Sequence, residues 1–435
     1  MLKIAENSSV KAGKIHKLGG LFLLVPERNS RHGTQHCHCA PLRAVFDTQS
    51  RRGCRKAVSM AQRRRQPNPI GLDLSSQGVH AVQVETLEGG LRLVAVLSDV
   101  QPAESEDDLR SQVGRVVKNQ HFLGQRVTTC VPSEALSIQH MQLAAMPEDM
   151  VSDAIAAGLE GRLTWSVKDA VIQHLQVASP RSNDGQAEYI VFAMPRGVVE
   201  QHLRITEKLG LELVGISALP LAAAHAFSYL GQRRDETDFA FLLVHLAPRI
   251  THLLIVQKGE LRFARSIRQG VDDMLEAAGK ALGRPATALK DEQEFQMRRQ
   301  EDHLLLSSRL TEAPAAPRHA LAVPYDQAGE VLQGYCEEIL SCLCYYAGAN
   351  ESQGVDKVVF IGPQANDYDF CQALASRLGL PAQIGDPLAG IQAPGELGGD
   401  GLPSPTLEAH HGPARRPKPE LAVATGLSLF GGLVN

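Results

Sequence analysis

The sequence predicts an α/β fold: two duplicated βββα lobes facing across a cleft, with a smaller α/β insertion lodged in the first. Two observations carry that prediction. Residues 70–84 alternate as two strands about a short polar turn, and the order of three strands and a helix that begins there returns from Phe239. Between the copies, strands and helices alternate at short intervals, as a small separate layer would.

Charge divides the chain at its first element. Residues 1–69 carry 14 Lys and Arg against 3 Asp and Glu, whereas residues 70–435 carry 30 against 45. An acidic body argues against a nucleic-acid groove in it. The 1–69 segment lacks sustained periodicity and scatters Pro, Ser and Gly, so it reads as disordered, or as an extension upstream of a natural start at Met60. Its apolar patch at 18–25, behind Lys11, Lys14 and Lys17, imitates a signal peptide, but no small-residue cleavage pattern follows. His32, His36, Cys37, His38, Cys39 and Cys54 are of metal-ligand type, yet alternation this tight cannot turn them all toward one tetrahedral ion, and no metal is expected. No run of about 18 apolar residues occurs, so no segment is expected to span a bilayer alone. Cys130, Cys336, Cys342, Cys344 and Cys371 sit in apolar contexts and read as small buried hydrophobes of a reducing compartment.

The first lobe is read over 70–131. Ile70, Leu72 and Leu74 alternate with Gly71 and Asp73; Ser75, Ser76, Gln77 and Gly78 turn the chain; His80, Val82 and Val84 alternate again. Such a turn can offer backbone N–H groups to phosphate while Asp73 holds a hydrated Mg2+. The plain alternative is a half-buried hairpin with an exposed Asp. A third strand (91–97), a helix (107–120, with Leu109, Val113, Val116 and Val117 on one face) and a strand (126–131) follow. Residues 132–218 read as the insertion, with strands at 137–144, 170–177, 189–193 and 211–216 and helices at 148–163 and 196–209. A helix within 219–237 returns to the first lobe.

The second lobe is read over 238–435: strands at 239–246, 250–257 and 261–267, a helix at 271–282, and a charged, Pro/Ala-rich loop-bearing stretch within 283–327. A long helix (328–349) carries Val331, Tyr335, Ile339 and Leu343 on one side. A strand (357–361), a helix (369–378) and a short strand (381–384) complete the repeat, and residues 392–419, rich in Pro, Gly and His, read as a mobile loop.

The duplicated lobes, the Asp-bearing hairpin and the strand and helix joined at Ile361-Gly362 together resemble the actin-like ATPase superfamily. More narrowly the chain is similar to the PilM proteins of type IV pilus assembly, relatives of the cell-division protein FtsA. The likeness runs from Asn68 to Leu429. Met194-Pro195-Arg196-Gly197-Val198-Val199-Glu200 with 208–216 resembles the close of the PilM insertion, and 257–267 its second-lobe strands, where an Arg at the position of Arg265 is usual. Glu338-Ile339-Leu340-Ser341 with Tyr345-Tyr346 resembles the long second-lobe helix; Leu378-Gly379-Leu380-Pro381, Asp386-Pro387 and 422–427 resemble the closing elements. The resemblance implies ribonuclease H-like βββαβα lobes, with ATP and Mg2+ at Asp73, Ser75, Ser76, Gln77, Gly78, His245 and Gly362.

The sequence departs from that pattern where phosphate would lie. Ser75 replaces the usual Gly of the first hairpin, and His80 a Lys often found on its second strand. The second hairpin has His245-Leu246-Ala247 for Asp-x-Gly, followed by Pro248, which has no N–H to donate. The nucleoside-side Gly-Gly is Gly362-Pro363. The expectation is weak or absent ATP binding and no catalytic residue, because one carboxylate would have to organise both Mg2+ and the attacking water. Against it, His245 could orient a water and backbone donors elsewhere could hold phosphate.

The resemblance further implies a cytoplasmic protein peripheral to the inner membrane. It would join other pilus platform proteins and hold the N-terminal peptide of a PilN-like single-span membrane protein in a groove within 131–218. Leu143, Met146, Met150, Ile155 and Leu159 are spaced to line such a groove, or are simply subdomain core. The expected function is a pseudo-ATPase scaffold of a type IV pilus or related type II secretion platform. An active ATPase of the same superfold and an FtsA-like filament protein are the alternatives. For the latter, 421–434 is a poor membrane anchor, with Gly426, Gly431 and Gly432 and no basic face.

Overall fold

A computed structural model describes residues 14–18, 21–25, 67–75, 77–87, 90–118, 121–177, 185–228, 239–300, 325–349, 354–392 and 417–431. In the basic segment two short strands pair antiparallel, β1 (Lys14–Leu18) and β2 (Leu21–Val25), where disorder was expected. The His/Cys cluster at 32–54 lies outside the described residues, as do 301–324, 393–416 and Ser76.

The first lobe begins as an antiparallel meander of β3 (Ile70–Ser75), β4 (Gly78–Leu87) and β5 (Gly90–Asp99). Helix α1 (Glu106–Val117) follows; Ser105 caps it by accepting from the Asp108 N–H at 3.1 Å, and Glu106, Asp107 and Asp108 complement the dipole of its first turn. Val113, Val116 and Val117 bury its inner face, and β6 (Arg126–Cys130) then runs parallel to β3. The insertion comprises β7 (Ser137–Ala144), α2 (Glu148–Leu159), β8 (Ala170–Val177) and β9 (Gln186–Pro195), with the strands ordered β7-β9-β8. Helix α3 (Arg196–Lys208) leads back to β10 (Glu212–Ser217). β10 pairs parallel with β6 from Glu212 opposite Arg126, so this strand belongs to the first-lobe sheet and not to the insertion.

After α4 (Leu219–Ala226) the second lobe repeats the plan: β11 (Ala240–Leu246), β12 (Thr251–Gln257), β13 (Glu260–Ile267), α5 (Val271–Leu282), α6 (Ala286–Gln300), α7 (Gly329–Ala349), β14 (Lys357–Ile361), α8 (Tyr368–Leu378) and β15 (Ala382–Ile384). Helix α6 falls within the stretch read as loop-bearing. Its Ala, Leu, Lys, Glu and Gln are good helix formers, and Gln293 docks it by donating to Asp367 at 2.8 Å and to Tyr325, which itself donates to Asp367. β16 (Ile391–Gln392) joins β5, and α9 (Ala422–Gly431) ends the described chain. The large sheet is ordered β1-β2-β10-β6-β3-β4-β5-β16 and the second β13-β12-β11-β14-β15. Without the strands added at its two ends, the first has the order of the second, and both are antiparallel through their first three strands and parallel thereafter.

The terminal helices exchange lobes. α4 follows the first lobe yet lies on β12 and β13 of the second, and α9 follows the second yet lies on β3, β4 and β6 of the first. One apolar core therefore holds Ile70, Leu72 and Val127 together with Phe241, Leu254 and Val359 through Ala222, Val423 and Leu427. The helices cross with almost no separation: a Cβ at Gly426 would lie 1.8 Å from the Ala222 carbonyl oxygen, and one at Gly71 2.0 Å from that of Ala424. Buried Ser428 on α9 donates to the Pro69 carbonyl at 2.8 Å and accepts from the Val84 N–H at 3.1 Å. Cys130, Cys336, Cys342 and Cys371 are buried as expected, but Cys344 is exposed on the outer face of α7. No helix among the described residues is long and apolar enough to cross a membrane.

Gly426→Val is expected to lower stability by about 3 kcal/mol in urea unfolding, because the added atoms meet backbone that cannot move aside. Gly334→Ala, in α7 with nothing within 4 Å of its Cβ, is expected to stabilise by about 0.5–1 kcal/mol.

Candidate functional site: the two interlobe hairpins

The hairpins of the two lobes superpose in register. Asp73 stands opposite His80, and His80 opposite Ser98; His245 stands opposite His252, and His252 opposite Ser266. The interval from Asp73 to His80 equals that from His245 to His252, so the turns occupy equivalent places. Each second-strand histidine is tied to the third strand, His80 Nδ1 to Ser98 Oγ at 2.8 Å and His252 Nδ1 to Ser266 Oγ at 2.9 Å. This repeat was legible in the spacing, but His252, Ser98 and Ser266 were not among the candidates.

In the first turn Ser75 Oγ accepts from the Gln77 N–H at 3.2 Å and donates to the Gly78 carbonyl at 3.3 Å; Gly78 closes the turn with φ of +131°. The hydroxyl thus stabilises its own turn. Asp73 is not exposed: it is buried beside Cys130, whose thiol reaches its carboxylate at 3.6 Å. Burial pushes its pKa up to about 7, with the Cys130 contact opposing and the charge of Glu134 adding.

The second turn is closed by its own chain. The Ala247 N–H donates to the Ile250 carbonyl at 3.2 Å, and the Asp272 N–H at the start of α5 donates to the Pro248 carbonyl at 2.9 Å. The turn's cation, Arg249, is directed at Glu276 (2.6 Å), Asp272 (3.4 Å) and Asp273 (3.6 Å). His245 is buried, its ring 5.8 Å from that of His252, and burial lowers its pKa to about 4 and that of His252 to about 3. Both rings are neutral at pH 7. His80 is likewise lowered by burial, with Glu420 opposing and Lys418 adding. His80 Nε2, His245 Nδ1 and His252 Nε2 are buried and have no protein partner among the described residues.

Gly362 meets His245 directly. It has φ of +90°, and a Cβ there would lie 2.7 Å from the Leu246 carbonyl and 3.0 Å from the His245 ring. Its N–H, the donor left beside Pro363, is given to the Pro419 carbonyl at 2.9 Å. Pro419 belongs to a short 3-10 turn, Pro419–Leu421, that leads into α9; Glu420 of that turn accepts from Asn366 at 3.0 Å. The structure thus joins His245 with Gly362, and links them to the His80 side of the first hairpin through 418–421. Asn366 and Glu420 were invisible to sequence reasoning because their pairing spans a long loop.

The five groove candidates separate. Ile155 and Leu159 are wholly buried under the insertion sheet with Val151, Met141 and Val191, so they form core and line no surface. Leu143 and Met146 are half-buried at the rim of that core, and Met150 is exposed. The insertion also reaches the second lobe: His140 on β7 bonds the Ala264 carbonyl at 2.9 Å through Nε2 and stacks on Phe263 at 4.8 Å.

No family model matches the sequence, and no curated protein matches it. Among solved structures, a PilM-PilN type IV pilus biogenesis complex matches at 16% identity over 84% of this chain and 98% of that chain, with a TM-score of 0.63. The chain has the actin-like ATPase fold. More distant likenesses include MreB5 of Spiroplasma citri bound to ADP (13% identity, 84% of this chain and 96% of that chain, TM-score 0.38). Another is the cytoplasmic domain of EpsL, an inner membrane component of the type II secretion system of Vibrio cholerae (12%, 49% and 73%, TM-score 0.32).

The two kinds of buried group tie stability to pH with opposite sign. The His245 and His252 contribution is complete above the unfolded value of about 6.5 and is lost as pH falls toward their folded values. The Asp73 contribution is complete below its unfolded value of 3.8 and is lost as pH rises to about 7. Asp73→Asn is therefore expected to stabilise by on the order of 2–4 kcal/mol at pH 8 and to change little at pH 4, read from urea midpoints. His245→Asn is expected to flatten the acid limb of the stability curve between about pH 6.5 and 4.

Proposed function

We propose that this chain is an actin-like scaffold on the cytoplasmic face of an inner-membrane platform for type IV pilus assembly or a related type II secretion system. It would bind the N-terminal peptide of a PilN-like single-span membrane protein, with nucleotide binding weak or lost. The observation that carries the loss is the Gly362 N–H: the backbone donor that Pro363 leaves at the nucleoside side is taken by the Pro419 carbonyl. Ala247-Pro248, the buried Asp73 and the pairing of Arg249 with Glu276 agree with it. The likeness to a PilM-PilN complex, over nearly all of that chain, supports the scaffold role. Burial of Leu421, Val423, Leu427 and Phe430 weighs against a filament protein anchored through its last helix.

Isothermal titration with Mg-ATP is expected to show no binding at micromolar ligand, and a micromolar Kd would overturn the loss of nucleotide. Pull-down from native membranes, with and without Mg-ATP, is expected to recover a single-span protein equally in both. Recovery only with ATP would mean that the altered hairpins still hold phosphate; recovery of no membrane protein would sink the scaffold reading.

A further inference from the structure

The insertion meets the second lobe at a histidine whose ring nitrogens both face acceptors. β13 is the edge strand of the second sheet, and β7 and β8 of the insertion lie against it. The Ala264 carbonyl, on that edge, is met by His140 Nε2 at 2.9 Å, while His140 Nδ1 meets Glu188 Oε1 on β9 at 3.2 Å. Phe263 stacks on the ring at 4.8 Å, and Tyr345 of α7 stands edge-on to it at 6.5 Å.

A carbonyl oxygen only accepts, and so does an ionised carboxylate, so both ring nitrogens must carry a proton for both bonds to form. If the carboxyl held one of those protons instead, the pair would still contain one more than a neutral ring beside a carboxylate. The docked arrangement is therefore the protonated one. When that proton leaves, the ring keeps a single N–H. The carboxylate is the stronger acceptor and draws it to Nδ1, which leaves the bare lone pair of Nε2 facing the Ala264 carbonyl. The bond lost is the one that crosses from the insertion to the second lobe.

The other charged groups of the packed elements are engaged elsewhere. Arg262 on β13 pairs with Glu260 at 2.9 Å, and Arg265 with Glu338 of α7 at 3.3 Å. On β9 Ile190 stands opposite His140 and the next residue, Val191, opposite His174 of β8, so His174 belongs to the other face of the insertion sheet. The covalent connections of the insertion, at 131–136 and through α3 into β10, run to the first lobe. Its seating on the second lobe thus depends on contacts of this kind.

We propose that His140 and Glu188 form a proton-dependent clasp, which seats the insertion on the β13 edge when the pair holds the extra proton and releases that edge as pH rises. The clasp stands whether or not the chain is a pilus scaffold. Its sign is opposite to that of the seam histidines. Protonation of His245 and His252, as pH falls toward about 4 and about 3, loosens the seam, whereas protonation here closes the insertion.

The test is energy transfer between dyes at Cys344, exposed on α7, and at Asp153→Cys, exposed on α2, in the full chain carrying Cys37→Ser, Cys39→Ser and Cys54→Ser. Transfer is expected to fall on going from about pH 6 to about pH 8.5, a window above the titration of the seam histidines. Glu188→Gln removes the carboxylate that draws the proton to Nδ1 and offers that nitrogen an amide N–H, so the neutral ring donates through Nε2 and transfer is expected to stay high across the window. His140→Phe keeps the stack on Phe263 without either donor, and transfer is expected to be low throughout. Equal transfer at both pH values in the chain with His140 and Glu188 intact would overturn the proposal. So would a pH dependence kept in Glu188→Gln, which would assign the change to Asp73, whose pKa is pushed up to about 7. Should His140→Phe lose its helical ellipticity, Glu188→Gln alone decides.

Discussion

The crossing of α4 and α9 is the constraint on which the rest of the molecule depends. Each helix leaves one lobe and lies on the sheet of the other, so the core between the lobes is closed by residues of both. The contact needs the absence of a side chain at Gly426 and at Gly71, because backbone lies within about a bond length of where a Cβ would be. Apolar area removed from water is worth roughly 25 cal/mol per Å2, and here it is shared between lobes that could otherwise separate. Cooperativity between the lobes is thus built into the chain's path.

The same crossing determines what the hairpins can do. The turn 418–421 is the lead-in to α9, so seating α9 on β3 and β4 carries Pro419 to Gly362 and Glu420 to Asn366. The Gly362 N–H is satisfied by the chain itself, and the histidines between the strands are neutral and desolvated. Burying three histidines with an unpaired ring nitrogen and one raised carboxyl costs stability, and the shared core offsets it.

The strands and α5 were legible because their signals are local: alternation at period two, and an amphipathic run from Val271 to Leu282 that ends at Gly283 in the left-handed region. Asp73 was legible because a carboxylate on a hairpin strand is a local signal, whereas His245 and Gly362 were named through the family resemblance. Elements set by partners distant in sequence were not legible. β10 has the composition of an insertion strand until β6 is placed beside it, and α9 reads as a second-lobe helix until Gly71 is seen beneath Ala424. Ile155 and Leu159 illustrate a further limit. Their spacing with Met150 suits a groove and a core equally, and only packing against Met141 and Val191 decides between them.

A cleft whose opening answers to a ligand needs polar groups turned toward that ligand. In this chain the Gly362 N–H and Asn366 are engaged by 418–421, while His80 Nε2, His245 Nδ1 and His252 Nε2 find no protein partner among the described residues. A shift of the lobes would expose the histidines and unseat α9 from β3 together. Ligand binding there favours an opened state only by compensating both losses. A surface away from the seam lies at the rim of the insertion, around half-buried Leu143 and Met146 and exposed Met150.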